Sequence, residues 1–407
     1  MNDQVEQTRM EWDNLFSDRA NQLQPSRLTA IFQAGANPDM ISLAGGIPDP
    51  AILPIERIRQ ATDTVLAERG GEALNYGNGQ GITELREFVA ARMSTDFMKV
   101  DPDNVVITSG SQQGLDLVGR VLLNDRDKVL VRNPTYIGSL SAWKSYNLQW
   151  EPIFSSGESD NLESVFQPKP KLLYFVADFE NPTGEMLSEA QRRSLLSALH
   201  RHHVPVVEDN PYGELRYEGE RIPTLLELDA LSTGDGGMGS HVIYAGSFSK
   251  VLSPGLRVGW LVADKPFVAK VMQFKQAANL CSSILDQFVV YEAVQDGFLD
   301  DFILDLRQIY AERRDAMMDA MARHFPDGVT WTRPKGGFFI MVTLPDGLNA
   351  VDLLQAALPK GVAFIPGEAF HIQGHGPNTL RLSFSRYNPD RIDEGIRRLA
   401  DVIRSKL

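Results

Sequence analysis

The chain has 407 residues, of which 43% are hydrophobic, a composition typical of a globular protein with enough chain for two to three domains. Its formal net charge of -13 argues against non-specific binding to nucleic acid or an anionic membrane, because both need a basic surface. The single cysteine, Cys281, excludes an intramolecular disulfide and any multi-cysteine metal site. No secretory signal and no apolar run of membrane-spanning length is visible, so we expect a cytoplasmic protein that binds neither nucleic acid nor membrane.

Short apolar segments in the middle of the chain, each followed by a polar or glycine-bearing turn, are predicted to be strands. They are residues 105–108, 128–131, 172–176, 204–207 and 242–245. Helical patterns lie between several of them, and Ser188 with Gln191 forms a capping-box signal for one helix. This alternation predicts an α/β fold, a three-layer sandwich whose central sheet is mainly parallel.

The C-terminal quarter of the chain has a different pattern. Residues 300–324 are predicted to form a long charged helix, and residues 336–342 a strand of a smaller α+β domain. We therefore expect a large ligand-binding domain over residues 51–300 and a small domain over residues 301–407. The N-terminal segment, residues 1–50, is too short to fold alone and is expected to pack on the small domain.

A lysine follows the last predicted strand, in the sequence Gly-Ser-Phe-Ser-Lys that ends at Lys250. The carboxyl ends of strands are where open α/β sheets bind their ligands. A lysine that forms a Schiff base attacks as the neutral amine, so it needs burial or a neighbouring cation to lower its pKa. Arg257 could be that cation and could also bind a phosphate. Taken alone, the motif also fits a solvated loop lysine.

Residues 110–114, Gly-Ser-Gln-Gln-Gly, follow the first predicted strand and open a helix. Free backbone N–H groups and the positive end of the helix dipole suit a single phosphate there, although a plain tight turn is the alternative. The segment lacks the Gly-Lys-Ser/Thr ending of a nucleoside-triphosphate loop, so binding of a nucleoside triphosphate is disfavoured.

Three further polar residues lie in or shortly after predicted strands, where a polar side chain needs a hydrogen-bond or ion-pair partner. Asn181 follows the third predicted strand and precedes Pro182, in what could be an ordinary turn. Asp209 ends the fourth strand, where a protonated ring nitrogen would be a good partner and a helix cap is the alternative. Arg381 lies within the apolar run 378–384 and needs an anion, either a substrate carboxylate or a structural salt bridge.

The histidines at positions 200, 202 and 203 resemble a metal site only superficially. His200 and His203 lie on a charged helix end, and no carboxylate occurs at a suitable spacing along the chain. Favourable interaction with the helix C-terminus explains these residues better, so we expect no metal.

Taken together, these motifs resemble the fold-type I pyridoxal-phosphate aminotransferases of class I/II. The residues that carry the resemblance are Lys250 in Ser-Phe-Ser-Lys, Arg257, Asn181 in Asn-Pro-Thr-Gly, Asp209 with Tyr212, and Arg381. Segments 42–48, 110–117, 246–257 and 333–337 are most similar to the branch that contains 2-aminoadipate (LysN-type) and kynurenine aminotransferases. The resemblance covers the chain from about residue 27 onward.

The resemblance implies a role for each residue around the cofactor ring. Lys250 would bind the cofactor aldehyde as a Schiff base and later move a proton between the substrate and the cofactor. Asp209 would pair with the ring nitrogen, which keeps it protonated. Asn181 and Tyr212 would hydrogen-bond the phenolic oxygen of the ring, and Tyr136 would stack on its face.

The resemblance also implies the phosphate and substrate contacts. The phosphate site would consist of Ser111, Gln112, Ser247, Ser249 and Arg257, joined by Tyr76 from a neighbouring subunit, which implies a homodimer with shared sites. The substrate α-carboxylate would be held by Arg381 with Asn181 and the Gly46 backbone. Arg27 would read a second, distal carboxylate of the substrate.

The function implied by the resemblance is ping-pong transfer of an amino group between an L-amino acid and 2-oxoglutarate. The amino acid would be of the 2-aminoadipate, aromatic or branched-chain type. Asp178, Glu180 and segment 280–283 depart from the family pattern and leave the side-chain preference open. Elimination, cyclisation or oxidation of an amino acid on the same fold is an alternative. A ligand-sensing regulator is disfavoured, because the N-terminal segment is short and acidic.

Overall fold

The computed structural model of the protein describes residues 10–23, 39–153, 162–234, 236–372 and 374–407. Its α-helices are α1 (Asp18–Gln22), α2 (Ile55–Ala73), α3 (Thr83–Met93), α4 (Ser111–Leu122), α5 (Ile137–Ala142), α6 (Leu162–Val165), α7 (Glu189–His202), α8 (Leu225–Thr233), α9 (Lys265–Asn279), α10 (Ile284–Val294), α11 (Phe298–His324), α12 (Ala350–Ala357) and α13 (Pro389–Arg404). No described helix is both long enough and apolar enough to cross a membrane.

The described strands form a large central sheet and two smaller sheets. They are β1 (Ile41–Ser42), β2 (Val105–Thr108), β3 (Lys128–Arg132), β4 (Gln149–Ile153), β5 (Leu172–Phe175), β6 (Val206–Asp209), β7 (Val242–Ser247), β8 (Gly259–Val262), β9 (Thr330–Trp331), β10 (Phe339–Thr343), β11 (Val362–Ala363), β12 (Ile365–Pro366) and β13 (Thr379–Ser383). All five segments predicted to be central strands are therefore present, with ends that differ by at most two residues.

The central sheet has the strand order β2-β8-β7-β6-β5-β3-β4. Neighbours from β7 to β4 pair in parallel, whereas β8 is antiparallel to both β7 and β2. The mainly parallel α/β fold is thus confirmed. Strands β4 and β8 were missed in the sequence, because β4 contains Pro152 and polar residues, and β8 is a short segment that begins at Gly259.

Both faces of the central sheet are buried, which produces the three layers. In β3, Val129 and Val131 pack into one hydrophobic core and Leu130 into the other. In β5, Tyr174 likewise lies on the face opposite Phe175. Helices must therefore cover both sides of the sheet, as is usual for parallel strands.

Helix α7 shows how a local signal sets the path of the chain between two strands. The side-chain oxygen of Gln191 accepts a hydrogen bond from the Ser188 backbone at 3.0 Å, and the Ser188 hydroxyl accepts one from the Gln191 backbone at 3.3 Å. This is the predicted capping box. The helix ends at His202, and the next residue, His203, adopts the left-handed conformation. The chain then enters β6, which carries Asp209 to the carboxyl edge of the sheet.

The smaller antiparallel sheet has the order β12-β13-β10-β9 and places Arg381 opposite Met341. Strand β1 pairs with β11, and the Ser383 backbone donates to the Leu43 carbonyl at 2.8 Å. Earlier in the N-terminal segment, the Arg19 guanidinium lies over a ring of the large unit, that of Tyr146. The segment therefore contacts both units, and the division near residue 300 stays a prediction.

Candidate active site

A cavity of about 370 Å³ lies at the carboxyl edge of the central sheet. It is lined by most of the side chains that the sequence singles out, although they come from segments far apart in the chain. These residues are Gly46, Ser111, Gln112, Tyr136, Asn181, Asp209, Tyr212, Ser247, Ser249, Lys250, Arg257 and Arg381. The strand ends of the sheet thus bring the predicted lysine, carboxylate and arginines into one space.

Lys250 follows β7 and lies half-buried in this cavity. Its amine donates a hydrogen bond to the Gly46 carbonyl at 2.9 Å. Burial lowers the pKa of Lys250 from 10.5 to about 8, and the Arg257 and Arg381 cations act in the same direction. Because only the neutral amine is a nucleophile, this lysine is far more reactive near neutral pH than a solvated one.

Asp209 is a buried carboxylate with one oxygen unused. The Tyr174 hydroxyl donates to its Oδ2 at 2.8 Å, whereas Oδ1 is buried and has no partner among the described residues. Burial raises the pKa of Asp209 from 3.8 to about 6, and the Tyr174 hydrogen bond opposes that rise. The free oxygen needs a donor, and a cationic N–H from a bound ligand would supply one.

The start of α4 and the loop after β7 together form a cradle for an anion. Gly110 caps α4 with a φ of +75°, and the Arg257 guanidinium lies so close that a Cβ at Gly110 would be 2.4 Å from Nη2. The Ser249 backbone donates to the Ser247 hydroxyl at 3.1 Å, and both serines line the cavity. A helix N-terminus, a cation and two hydroxyls are suited to a phosphate.

Arg381 is buried on β13 and has no carboxylate within ion-pair distance among the residues described. It donates to Asn181 Oδ1 at 2.7 Å and to the Ala44 carbonyl, and its Nε has no partner in the described part of the chain. Its guanidinium lies 4.2 Å from the centre of the Phe339 ring. Burial lowers the pKa of Arg381 to about 10. The structural salt bridge is not observed, which leaves the guanidinium available to a ligand carboxylate.

Two tyrosines remain protonated hydrogen-bond donors inside the cavity. Burial raises the pKa of Tyr136 to about 12, and the Asp209 carboxylate adds to that rise. Burial also raises the pKa of Tyr212, which lines the same cavity as Asn181. Both phenols therefore offer a proton to a ligand oxygen rather than a negative charge.

The structure does not test the predicted roles of two further site residues. Tyr76 is 82% exposed and does not line the cavity of its own chain. Arg27 lies outside the described residues. The contact of Tyr76 with a neighbouring subunit and the role of Arg27 stay predictions.

The acidic residues that depart from the family pattern are buried but do not line the cavity. Asp178 forms an ion pair with Arg192 at 2.6 Å, and Glu180 forms one with Arg132 at 3.1 Å. Their influence on a ligand must therefore be indirect, through the position of the Asn181 loop.

The expectation that the histidines lack carboxylate partners was wrong. His200 Nε2 lies 2.6 Å from Asp229 Oδ1, and His202 Nε2 lies 2.8 Å from Glu163 Oε2. Both carboxylates come from other helices, so spacing along the chain could not reveal them.

Sequence reasoning also missed two residues that shape the site. Tyr174 positions Asp209, and Phe339 covers Arg381 and lines the cavity. A tyrosine within an otherwise apolar strand was a usable signal, because a buried hydroxyl needs a partner. The role of Phe339 depends on how the small sheet approaches Gly46, which the sequence does not show.

Comparisons with known proteins agree with this geometry. A family model described as aminotransferase class I and II matches residues 38–399. The aromatic-amino-acid aminotransferase 1 of Thermococcus litoralis is 37% identical, and the match covers 100% of this chain and 98% of that protein.

Two solved structures are also similar over nearly the whole chain. One is LysN of Thermus thermophilus, an α-aminoadipate aminotransferase complexed with N-(5'-phosphopyridoxyl)-L-leucine. It is 38% identical with a TM-score of 0.89, over 97% of this chain and 99% of that one. The other is a Pyrococcus horikoshii kynurenine aminotransferase, 38% identical with a TM-score of 0.90, over 98% of both chains.

The unused oxygen of Asp209 predicts a stability cost in the ligand-free protein. The folded-state pKa of about 6 lies above the ordinary value of 3.8, so the carboxylate destabilises the fold increasingly as pH rises between these values. At neutral pH, Asp209→Asn should therefore stabilise the ligand-free protein by roughly 1–3 kcal/mol, and the gain should vanish below about pH 4. Thermal unfolding at several pH values measures this difference.

Asp178→Asn is the matched control, because that carboxylate is equally buried but paired with Arg192. Removing its charge should destabilise the protein by about 3–5 kcal/mol. If both asparagine variants lowered the unfolding temperature alike, the interpretation of Asp209 as a buried carboxylate without a charged partner would be wrong.

Proposed function

The chain belongs to the class I and II aminotransferases, which use pyridoxal phosphate, and we propose that it moves an amino group between an L-amino acid and 2-oxoglutarate. One observation carries the proposal. A lysine with a lowered pKa, a carboxylate with a free oxygen and an arginine with no counter-ion among the described residues line the same cavity. Schiff-base formation, pairing with a ring nitrogen and binding of a substrate carboxylate need these three groups.

The residues of the cavity fit pyridoxal phosphate group by group. Lys250 would hold its aldehyde carbon, and the free Oδ1 of Asp209 would accept the proton of its ring nitrogen. Ser111, Gln112, Ser247, Ser249 and Arg257 would hold its phosphate at the start of α4. When bound, the cofactor supplies an aldehyde that takes up the amino group and a ring that accepts electrons from the substrate.

Lys250 has two tasks in the proposed reaction. Lys250 would first hold the cofactor. Once the substrate amine has displaced this lysine, its free amine would take a proton from the substrate Cα and pass it to the cofactor. A free amine with a pKa of about 8 can both accept and release that proton near neutral pH. The hydrogen bond to the Gly46 carbonyl holds the amine beside the wall where the substrate would lie.

Arg381 orients the substrate in this account. Its buried Nε has no partner among the described residues, and its guanidinium lies beside Asn181 and the Phe339 ring at the cavity. A carboxylate bound there would satisfy the buried guanidinium and fix the substrate Cα relative to Lys250. The Tyr136 and Tyr212 phenols, protonated because they are buried, would donate to or pack on the cofactor ring.

The identity of the amino donor is the finer part of the proposal. Apolar side chains of Ile137, Val176 and Phe339 contribute to the cavity wall, which suits an aromatic or branched-chain amino acid. The names of the similar proteins include α-aminoadipate, aromatic amino acids and kynurenine. Arg27 is our candidate for binding the distal carboxylate of an aminoadipate-type substrate. Ping-pong kinetics and a cytoplasmic location belong to the same proposal.

A spectroscopic titration tests the proposed function. Each amino acid of a panel is added to the purified holoenzyme, and 2-oxoglutarate is added last. The aldehyde-form band should disappear with a good donor and return with 2-oxoglutarate, because the amino group leaves with the keto acid. The turnover rate of the Lys250→Ala variant should fall by at least roughly 10²–10⁴-fold, which is the loss typical of removing a general acid–base.

Lys275→Ala is the matched control for that experiment. Burial also lowers the pKa of Lys275 to about 8, but its amine donates to the Gly79 carbonyl at 2.7 Å and does not line the cavity. This variant should keep the reversible spectral change. A cofactor band that never returns with any keto acid would reject transamination and indicate elimination or oxidation instead.

A homodimer with shared sites is also part of the proposal. Large apolar side chains near Tyr76 are exposed: Leu74 is 70% exposed, and Leu280, whose carbonyl oxygen lies against Gly79, is 52% exposed. Contact with a second copy would bury this surface. The same contact would bring the exposed Tyr76 hydroxyl to the phosphate cradle of the neighbouring subunit.

Hybrid dimers test whether Tyr76 acts across the interface. Tyr76→Ala and Lys250→Ala each damage a site, but a hybrid dimer would combine an intact lysine from one chain with an intact tyrosine from the other. A mixture reassembled at equal concentrations should recover about a quarter of wild-type activity, since half of the dimers are hybrids with one intact site each. Hybrids that form, as shown by native mass spectrometry, but remain inactive would contradict the shared site.

A further inference from the structure

A second cluster of ionisable side chains lies at the opposite edge of the central sheet. His200 is in the last turn of α7, Asp229 is on α8, and His241 directly precedes β7. Strand β7 runs from this cluster to Ser247 at the cavity, so the two sites are roughly 20 Å apart. The cluster therefore takes no part in the proposed amino-group transfer.

The ligand-type atoms of the cluster converge. His200 Nε2 lies 2.6 Å and His241 Nδ1 3.8 Å from Asp229 Oδ1, and the three donor atoms all lie within 4.8 Å of one another. No other group of this kind occurs in the described ranges. The Asp229 side chain is buried, whereas both imidazoles are 28% exposed. Solvent can thus reach one side of the cluster.

The donor set fits a particular class of cation. Two imidazole nitrogens and one carboxylate oxygen suit zinc and similar divalent transition metals, with bonds of about 2.0–2.2 Å. The partly exposed imidazoles can rotate to reach the spacing that such bonds require. Water would complete the coordination from the exposed side.

Neighbouring contacts hold the Asp229 carboxylate in an orientation that suits a metal ligand. The His241 backbone donates to Asp229 Oδ2 at 2.9 Å, which fixes the carboxylate with Oδ1 directed at the imidazoles. The His200 and His241 rings lie beside this carboxylate, tilted against each other with their centres 4.3 Å apart.

We propose that His200, Asp229 and His241 form a structural site for a zinc-type divalent cation. The cation would join the end of α7, the middle of α8 and the start of β7, whose contacts here include the His200–Asp229 hydrogen bond and the tilted imidazole rings. Because β7 carries Ser247 to the cavity, the cation would also stabilise the strand on which the active site depends. The sequence-based expectation of no metal considered spacing along the chain only.

Metal titration of the untagged holoenzyme tests the site. After dialysis against a chelator, Zn²⁺ binding is followed by calorimetry, and Co²⁺ binding by its visible absorption bands. One cation should bind per chain and raise the unfolding temperature. His200→Gln and His241→Gln should each weaken binding by roughly tenfold or more and abolish the thermal shift.

His202→Gln is the matched control. His202 lies on the same helix end but is paired with Glu163, outside the cluster, so this variant should bind Zn²⁺ like the wild type. All three variants should keep the cofactor absorbance, which shows that they fold. No saturable binding of Zn²⁺ or Co²⁺, or binding that survives both cluster substitutions, would overturn the proposal and leave a hydrogen-bonded cluster only.

Discussion

Burial of ionisable groups that have no partner of opposite charge among the described residues is the constraint on which the active site depends. Asp209 and Arg381 are buried and Lys250 is half-buried, and burial shifts the pKa of each group in the direction that favours its neutral form. Such groups cost stability unless something satisfies them. Each has a counterpart on the expected ligands, namely an aldehyde, a protonated ring nitrogen and a carboxylate. The same buried groups therefore lower the stability of the ligand-free protein and match the chemical groups of the ligands.

The sheet makes that burial possible, because its parallel strands end at one edge. Strands β5, β6 and β7 deliver Asn181, Asp209 and Lys250 to the same space, and α4 begins beside them. The small sheet closes the cavity by bringing Arg381 and Phe339 over it. Glycine at position 46 permits the close approach, since a Cβ there would lie 2.4 Å from the Phe339 ring.

Local signals in the sequence were sufficient for five of the seven central strands and for the capping box of α7, and the family resemblance supplied most of the residues that meet at the cavity. Apolar runs and cap residues act over a few positions, so they can be read directly from the chain. Tyr174 as the partner of Asp209 and Asp229 as the partner of His200 could not be read in this way. These contacts join residues on different elements, and only the packing of those elements determines them.

The pH dependence of cofactor uptake tests the central claim most directly. The rate at which cofactor-free protein forms a reducible bond with pyridoxal phosphate is measured across the pH range, and peptide mapping after reduction identifies the lysine. If burial controls the reactivity of Lys250, the bond forms at that residue and the rate rises with a midpoint near pH 8. A midpoint near the ordinary lysine value of 10.5, or modification spread over surface lysines, would contradict the account.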